Sequence, residues 1–133
     1  MEALRIESTE FTPAVKFDPE SHIFEIEGVS RPENVMEFYS RINDWITDYE
    51  SYVYKQNVSG GKKFTIQLNF KFSYFNSASS KMIYIFLESI FRINAMGFKV
   101  NINWYYDEGD DQMMEDGEEL SEAIDIPFEF IES

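Results

Sequence analysis

The chain of 133 residues has no cysteine, which excludes disulfide frameworks, thiolate nucleophiles and Cys-ligated zinc. Its single histidine, His22, rules out a His-based metal cluster. It is also the one base available for a triad, and no motif places a nucleophile beside it. We read His22 as an ordinary turn-edge residue. No apolar run approaches the ~20 residues that span a bilayer. The start, Met1-Glu2-Ala3-Leu4-Arg5, lacks the basic and apolar regions of a secretory signal, so a cytoplasmic protein is expected. Bases are few: 11 Lys and Arg against 25 Asp and Glu, a formal charge of −14. That balance argues against nonspecific nucleic-acid binding and against docking on an anionic membrane. No Gly-rich nucleotide fingerprint follows any expected strand. Ser59-Gly60-Gly61-Lys62 resembles a phosphate loop only superficially, since Gln56 stands where that motif needs Gly and Lys63 where it needs Ser or Thr.

What is present is aromatic and apolar. The chain is 44% hydrophobic, with 13 Phe, 8 Tyr and 2 Trp, enough for one folded domain over residues 1–133 and against disorder. The acidity is concentrated. Residues 107–133 carry 12 acids and no Lys or Arg, beginning with Asp107-Glu108-Gly109-Asp110-Asp111. A solvated loop and helix is the plain reading. An EF-hand is excluded, because its template started at Asp107 puts Gln112 at the Gly position, and started at Asp111 puts Met113 at a ligand position. Weak divalent-ion binding, or an ion-dependent or small-molecule activity at this loop, is the enzyme-class alternative. The spacing of the 25 acids singles out no catalytic pair. No catalytic residue, metal or cofactor is assigned.

Hydrophobic periodicity gives the order β-β-α-β-α-β-α-β. Residues 14–17 and 22–27 read as short strands around the turn Asp18-Pro19-Glu20-Ser21, with Gly28 ending the second. Pro32-Glu33-Asn34 opens a helix whose apolar stripe is Val35, Phe38, Tyr39, Ile42, Trp45, Ile46, Tyr49 and Val53. Residues 64–72 form the clearest strand, and a second helix then runs to about Met96, stopped by Gly97. Residues 98–105 form the next strand, residues 111–123 a short helix, and residues 126–131 a last strand interrupted by Pro127. The strand-helix-strand unit over residues 64–105 predicts parallel pairing. Both of its strands alternate strictly, whereas strands covered on both faces read as continuous apolar runs. We therefore expect a single α/β domain with a mixed sheet and helices mainly on one face. Gln67, Asn69, Lys71, Asn101 and Asn103 would line the open face, as solvated residues or as a partner surface.

The turn after residues 64–72 meets a helix N-terminus, where ligands of such sheets gather. Ser77 sits there, and two readings stay open. It is the helix N-cap, a role that Ser79 or Ser80 fills equally well, or it is phosphorylated. A phosphoserine adds about −1.5 to −2 charge, and at a helix N-terminus that charge meets free N–H groups and the positive dipole end. Lys81 is then placed to approach the phosphate.

Four stretches add a resemblance: Thr12-Pro13 with Phe17-Asp18; Gly28-Val29-Ser30-Arg31-Pro32-Glu33-Asn34; Tyr74-Phe75-Asn76-Ser77-Ala78-Ser79-Ser80-Lys81; and Trp104-Tyr105-Tyr106-Asp107. Together they resemble the SiaC family of bacterial regulatory phosphoproteins over nearly the full length. Arg31 stands where an aromatic is common. The resemblance implies a fold like that of STAS-type anti-sigma-factor antagonists and a non-enzymatic role in a partner-switching circuit. It implies that a histidine-kinase-like ATPase phosphorylates the hydroxyl after the Asn of Tyr-Phe-Asn, here Ser77, and that a metal-dependent serine/threonine phosphatase reverses this. It further implies that the unphosphorylated form binds and activates an effector such as a diguanylate cyclase, promoting biofilm formation. Asn76, Ser79, Ser80, Lys81, Pro32, Glu33 and Asn34 are the expected partner-contact residues. An anti-sigma-factor antagonist and a constitutive protein-binding module are the alternatives within the binding class.

Overall fold

Side chains that alternate along a strand sort to opposite sheet faces, and that rule organises this chain. In the computed structural model, which describes residues 1–133, the elements are β1 (Leu4–Ile6), β2 (Ala14–Asp18), β3 (Ile23–Ser30), α1 (Val35–Val58), β4 (Thr65–Phe75), α2 (Ser77–Ala95), β5 (Lys99–Tyr106), α3 (Asp111–Ile124) and β6 (Glu129–Glu132). They form one six-stranded sheet in sequence order. The pairs β1–β2 and β2–β3 are antiparallel, and β3–β4, β4–β5 and β5–β6 are parallel. Each helix connects neighbouring parallel strands, and each connection steps the same way across the sheet. A common hand of crossover therefore puts all three helices on one face.

On that face β4 buries Ile66, Leu68, Phe70 and Phe72, and β5 buries Val100, Ile102 and Trp104. Against them pack Tyr39, Ile42, Trp45, Ile46, Tyr49 and Val53 of α1 and Met82, Ile83, Phe86, Leu87, Ile90 and Ile93 of α2. The other face is polar, as the alternation predicts. Its side chains pair along the sheet: Asn103 Nδ2 donates to Asn69 Oδ1 at 2.9 Å, and Lys71 bonds Glu25 at 2.7 Å while lying 5.0 Å from the Tyr105 ring centroid.

The structure corrects several boundaries. The sequence carries no signal for β1, because its three residues are too few to show a period. Gly28 does not end β3. The strand continues to Ser30 through a register shift between Gly28 and Val29, and Gly28 takes φ +122°, a conformation that L side chains resist. Pro32 and Glu33 precede α1 instead of opening it. Asn34 is the cap, accepting from the Glu37 N–H at 3.0 Å. β4 runs on to Phe75. β6 begins only at Glu129, because Pro127 has no N–H to give the ladder and Ile126 and Phe128 are buried instead. No helix is long and apolar enough to cross a membrane.

Candidate functional site

The C-terminal ends of β3 and β4 lie side by side, with Ser30 opposite Phe75. From there the chain turns into α2 through Asn76, whose extended backbone precedes the helix. Asn76 is tied on three sides. Its N–H donates to Ser30 O at 3.1 Å, its carbonyl accepts from the Ser80 N–H at 2.9 Å, and its Oδ1 accepts from the Ser79 N–H at 2.9 Å. Asn76 is therefore the N-cap, and no serine is. The cap reading of Ser77, and of Ser79 and Ser80 in its place, is corrected by this geometry. The Asn amide oxygen reaches the third N–H from the non-helical side, where the cap must sit.

Ser77 is the first helical residue of α2, exposed, with its hydroxyl uncommitted. The first turn of α2 contains no acidic residue. The two serines that follow differ sharply. Ser80 is half-buried and lines a groove with Ser77. Ser79 is fully buried, which removes its side chain from direct partner contact. Its Oγ donates to Ser30 O at 3.0 Å and accepts from Ser30 Oγ at 2.9 Å. Ser30 Oγ in turn lies 2.6 Å from the Tyr39 hydroxyl. Burial pushes the Tyr39 phenol up to about 12, so it stays a proton donor throughout the neutral range. The sequence puts Ser30 in a family-like stretch and Tyr39 in an apolar stripe but does not join them; no local pattern marks a hydroxyl that a distant strand will bury.

The groove beside Ser77 is open, with a volume of about 480 Å³, and runs between the start of α2 and the side of α3. Ser77, Ser80, Tyr74 and Asn76 line one wall, and Asp110, Asp116 and Glu119 the other. Part of the acidic C-terminal block thus faces the serine. Lys81 is exposed and follows Ser77 by four residues on α2, the spacing that puts two side chains on one helix face. Pro32, Glu33 and Asn34 lie just beyond Ser30, on the approach to α1, with Glu33 and Asn34 exposed. Arg31, the departure noted above, lays its guanidinium 5.1 Å from the Phe11 ring centroid.

The far wall is fixed by a contact that sequence reasoning missed. Trp104 Nε1 donates to Met113 O at 2.8 Å, and α3 passes so close over the indole that a Cβ on Gly117 would lie 2.5 Å from Trp104 Nε1. Only glycine fits there. His22 stands at the other end of the sheet, before β3. Its ring stacks on Phe64 at 3.7 Å, its Nδ1 lies 2.7 Å from the Tyr49 hydroxyl, and burial lowers its pKa. Nowhere do three or more His, Asp or Glu side chains converge as metal ligands would.

The relatives agree with this architecture. The profile described as "SiaC family regulatory phosphoprotein" matches residues 6–133. An uncharacterized protein of Pseudomonas aeruginosa is 27% identical over 128 residues, covering 96% of this chain and 94% of its own length. The crystal structure of apo-SiaC from Pseudomonas aeruginosa superposes with a TM-score of 0.81 at 26% identity, covering 98% of this chain and 99% of that one. The crystal structure of the diguanylate cyclase SiaD in complex with its activator SiaC, from the same organism, matches with a TM-score of 0.82 at 25% identity, covering 98% and 99%. On the match that spans nearly its whole length, the chain belongs to the SiaC family of regulatory phosphoproteins.

Proposed function

We propose that this protein is a non-enzymatic signalling phosphoprotein of a cytoplasmic partner-switching circuit. Ser77 is the phosphoacceptor, and the unphosphorylated form binds and activates a diguanylate cyclase. The observation that carries the reading is the free, exposed hydroxyl of Ser77 at the uncharged first turn of α2, on a fold shared with an activator of such a cyclase. The kinase is a histidine-kinase-like ATPase. The Ser77 Oγ–P bond forms as the bond between the γ-phosphorus and ADP breaks, and the hydroxyl proton passes to a base on the kinase. A metal-dependent serine/threonine phosphatase reverses the step, water replacing the serine oxygen and inorganic phosphate leaving.

The fold accepts the phosphate without unfolding. Asn76 supplies the cap, so Ser77 has no structural hydrogen bond to lose, and the helix N-terminus favours the anion. The surface changes all the same. A phosphate brings about −1.5 to −2 charge into a groove already faced by Asp110, Asp116 and Glu119. An effector surface fitted to the neutral serine then meets desolvation and like-charge costs. Pro32, Glu33, Asn34, Asn76, Ser80 and Lys81 are the proposed contacts around it.

The test is a pull-down from the native host with Ser77→Ala and Ser77→Asp variants. Ser77→Ala should capture a diguanylate cyclase constitutively, and Ser77→Asp should capture it at least about tenfold less. Equal capture by both removes Ser77 as the switch. Capture of an anti-sigma factor in place of a cyclase keeps the switch and overturns the target.

A further inference from the structure

Three hydroxyls beneath Ser77 form a chain whose proton directions are fixed by counting. Ser79 Oγ spends its one proton on Ser30 O. Ser30 Oγ spends its proton on Ser79 Oγ. The remaining contact, between Ser30 Oγ and the Tyr39 hydroxyl, must then be donated by Tyr39. The chain runs one way, from Tyr39 on α1, through Ser30 at the end of β3, to Ser79 in the first turn of α2, and closes on a backbone carbonyl. All three residues are essentially without solvent contact. Unpaired hydroxyls there are disfavoured, so the arrangement moves as a unit or not at all.

We propose that Tyr39, Ser30 and Ser79 are positioning residues that couple the state of Ser77 to the start of α1. This rests on reading Ser77 as a modification site. The link is Ser79. Its N–H is held by the neutral amide oxygen of Asn76, and its hydroxyl anchors the buried chain. A phosphate two residues away is an ionised acceptor, stronger than an amide for the first-turn N–H groups. Competition for the Ser79 N–H shifts the residue whose Oγ holds Ser30. Tyr39 then feels the change through Ser30 Oγ, one turn into α1. The exposed residues Glu33 and Asn34 precede that helix directly, so the chain joins two parts of the surface that the sequence had separated.

The test needs no kinase. The full chain is prepared with serine or with phosphoserine incorporated at position 77, in the wild-type background and with Tyr39→Phe, which removes one oxygen and keeps the ring. Amide hydrogen exchange is read at residues 36–39 and at residues 79–81. In the wild-type background the phosphate should change exchange at both sites, by about fivefold or more at residues 36–39, the equivalent of one hydrogen bond. With Tyr39→Phe, residues 79–81 should still respond to the phosphate, while the response at residues 36–39 falls below about twofold. A merely structural Tyr39 would change exchange in α1 equally with and without phosphate. An identical phosphate response at residues 36–39 in both backgrounds, or none in the wild-type chain, overturns the coupling. Ser79→Ala, which cuts the chain at its other end, should abolish the α1 response as Tyr39→Phe does, and serves if that variant unfolds. The result is independent of the host circuit: coupling in vitro with no phosphate at Ser77 in cells retires the proposed function, and a switch in cells without coupling retires only this inference.

Discussion

The first turns of α2 and α3 are built alike and charged differently. Each follows a parallel strand, and each is capped by a side-chain oxygen that accepts from the third residue on: Asn76 from the Ser79 N–H at 2.9 Å, Asp110 from the Met113 N–H at 3.1 Å. α3 carries its anions permanently, in Asp110 and Asp111, and α1 has Glu37 in its first turn. The first turn of α2 has none, and it offers a serine to solvent instead. The means of fixing differ too. α3 is held mainly by shape, with Gly117 laid on Trp104 and a single hydrogen bond from the indole to Met113 O. α2 is locked by hydroxyls that link Ser79 to β3 and α1. A shape lock is indifferent to added charge, whereas a hydrogen-bond lock responds when a stronger acceptor arrives.

Breaking the shape lock should have the largest effect on stability. Gly117→Ala gains about 1 kcal/mol of helix propensity and forces a Cβ into the Trp104 indole, so a net loss of about 2 kcal/mol is expected. Urea unfolding measures it, and an unchanged or raised midpoint would mean that α3 lifts off the strand at little cost. Next comes the cap. Asn76→Ala should lose about 1 kcal/mol, and Ser77→Ala should stay within about 0.5 kcal/mol of wild type; the reverse order would make Ser77 the structural residue. The difference in charge is tested by exchange. Asn76→Asp gives α2 the anion that α3 already has and should stabilise the unmodified protein by about 0.5 kcal/mol. That gain should vanish or reverse when Ser77 carries phosphate, because two anions then share one helix end.

The smallest effect lies at the opposite end of the sheet, where charge is disfavoured. Burial lowers the His22 pKa, partly opposed by Asp18. The folded protein therefore holds His22 neutral more firmly than the unfolded chain does. This contribution is full above the unfolded value of 6.5 and is lost as pH falls through the folded pKa. His22→Asn, chosen because asparagine tolerates the φ of +61° found there, should flatten the fall in stability between neutral and mildly acidic pH. Parallel slopes in the two proteins would show that His22 protonates without strain.

The sequence by itself determined the layers of this protein. Strict alternation in β4 and β5 separated a packed face from a polar one, and the apolar stripes of α1 and α2 chose the sides they bury. Period-two and period-3.6 patterns report burial residue by residue, so no knowledge of neighbours was needed. The place of Ser77 at the start of a helix was also legible, because a strand end followed by a helix start is a local event. The tertiary structure alone decided what surrounds it. Three serines within four residues look equivalent on paper; the end of β3 made Ser79 a buried anchor and left Ser77 free. β1 is too short to carry a pattern and exists because β2 offers an edge. The need for glycine at position 117 comes only from Trp104 lying beneath it. The acids of α3 read as a solvated face until the fold sets some of them across a groove from the serine. These features join residues far apart in the chain, and pairing across such distances is fixed by packing and by the need to satisfy buried polar groups, which a linear pattern does not encode.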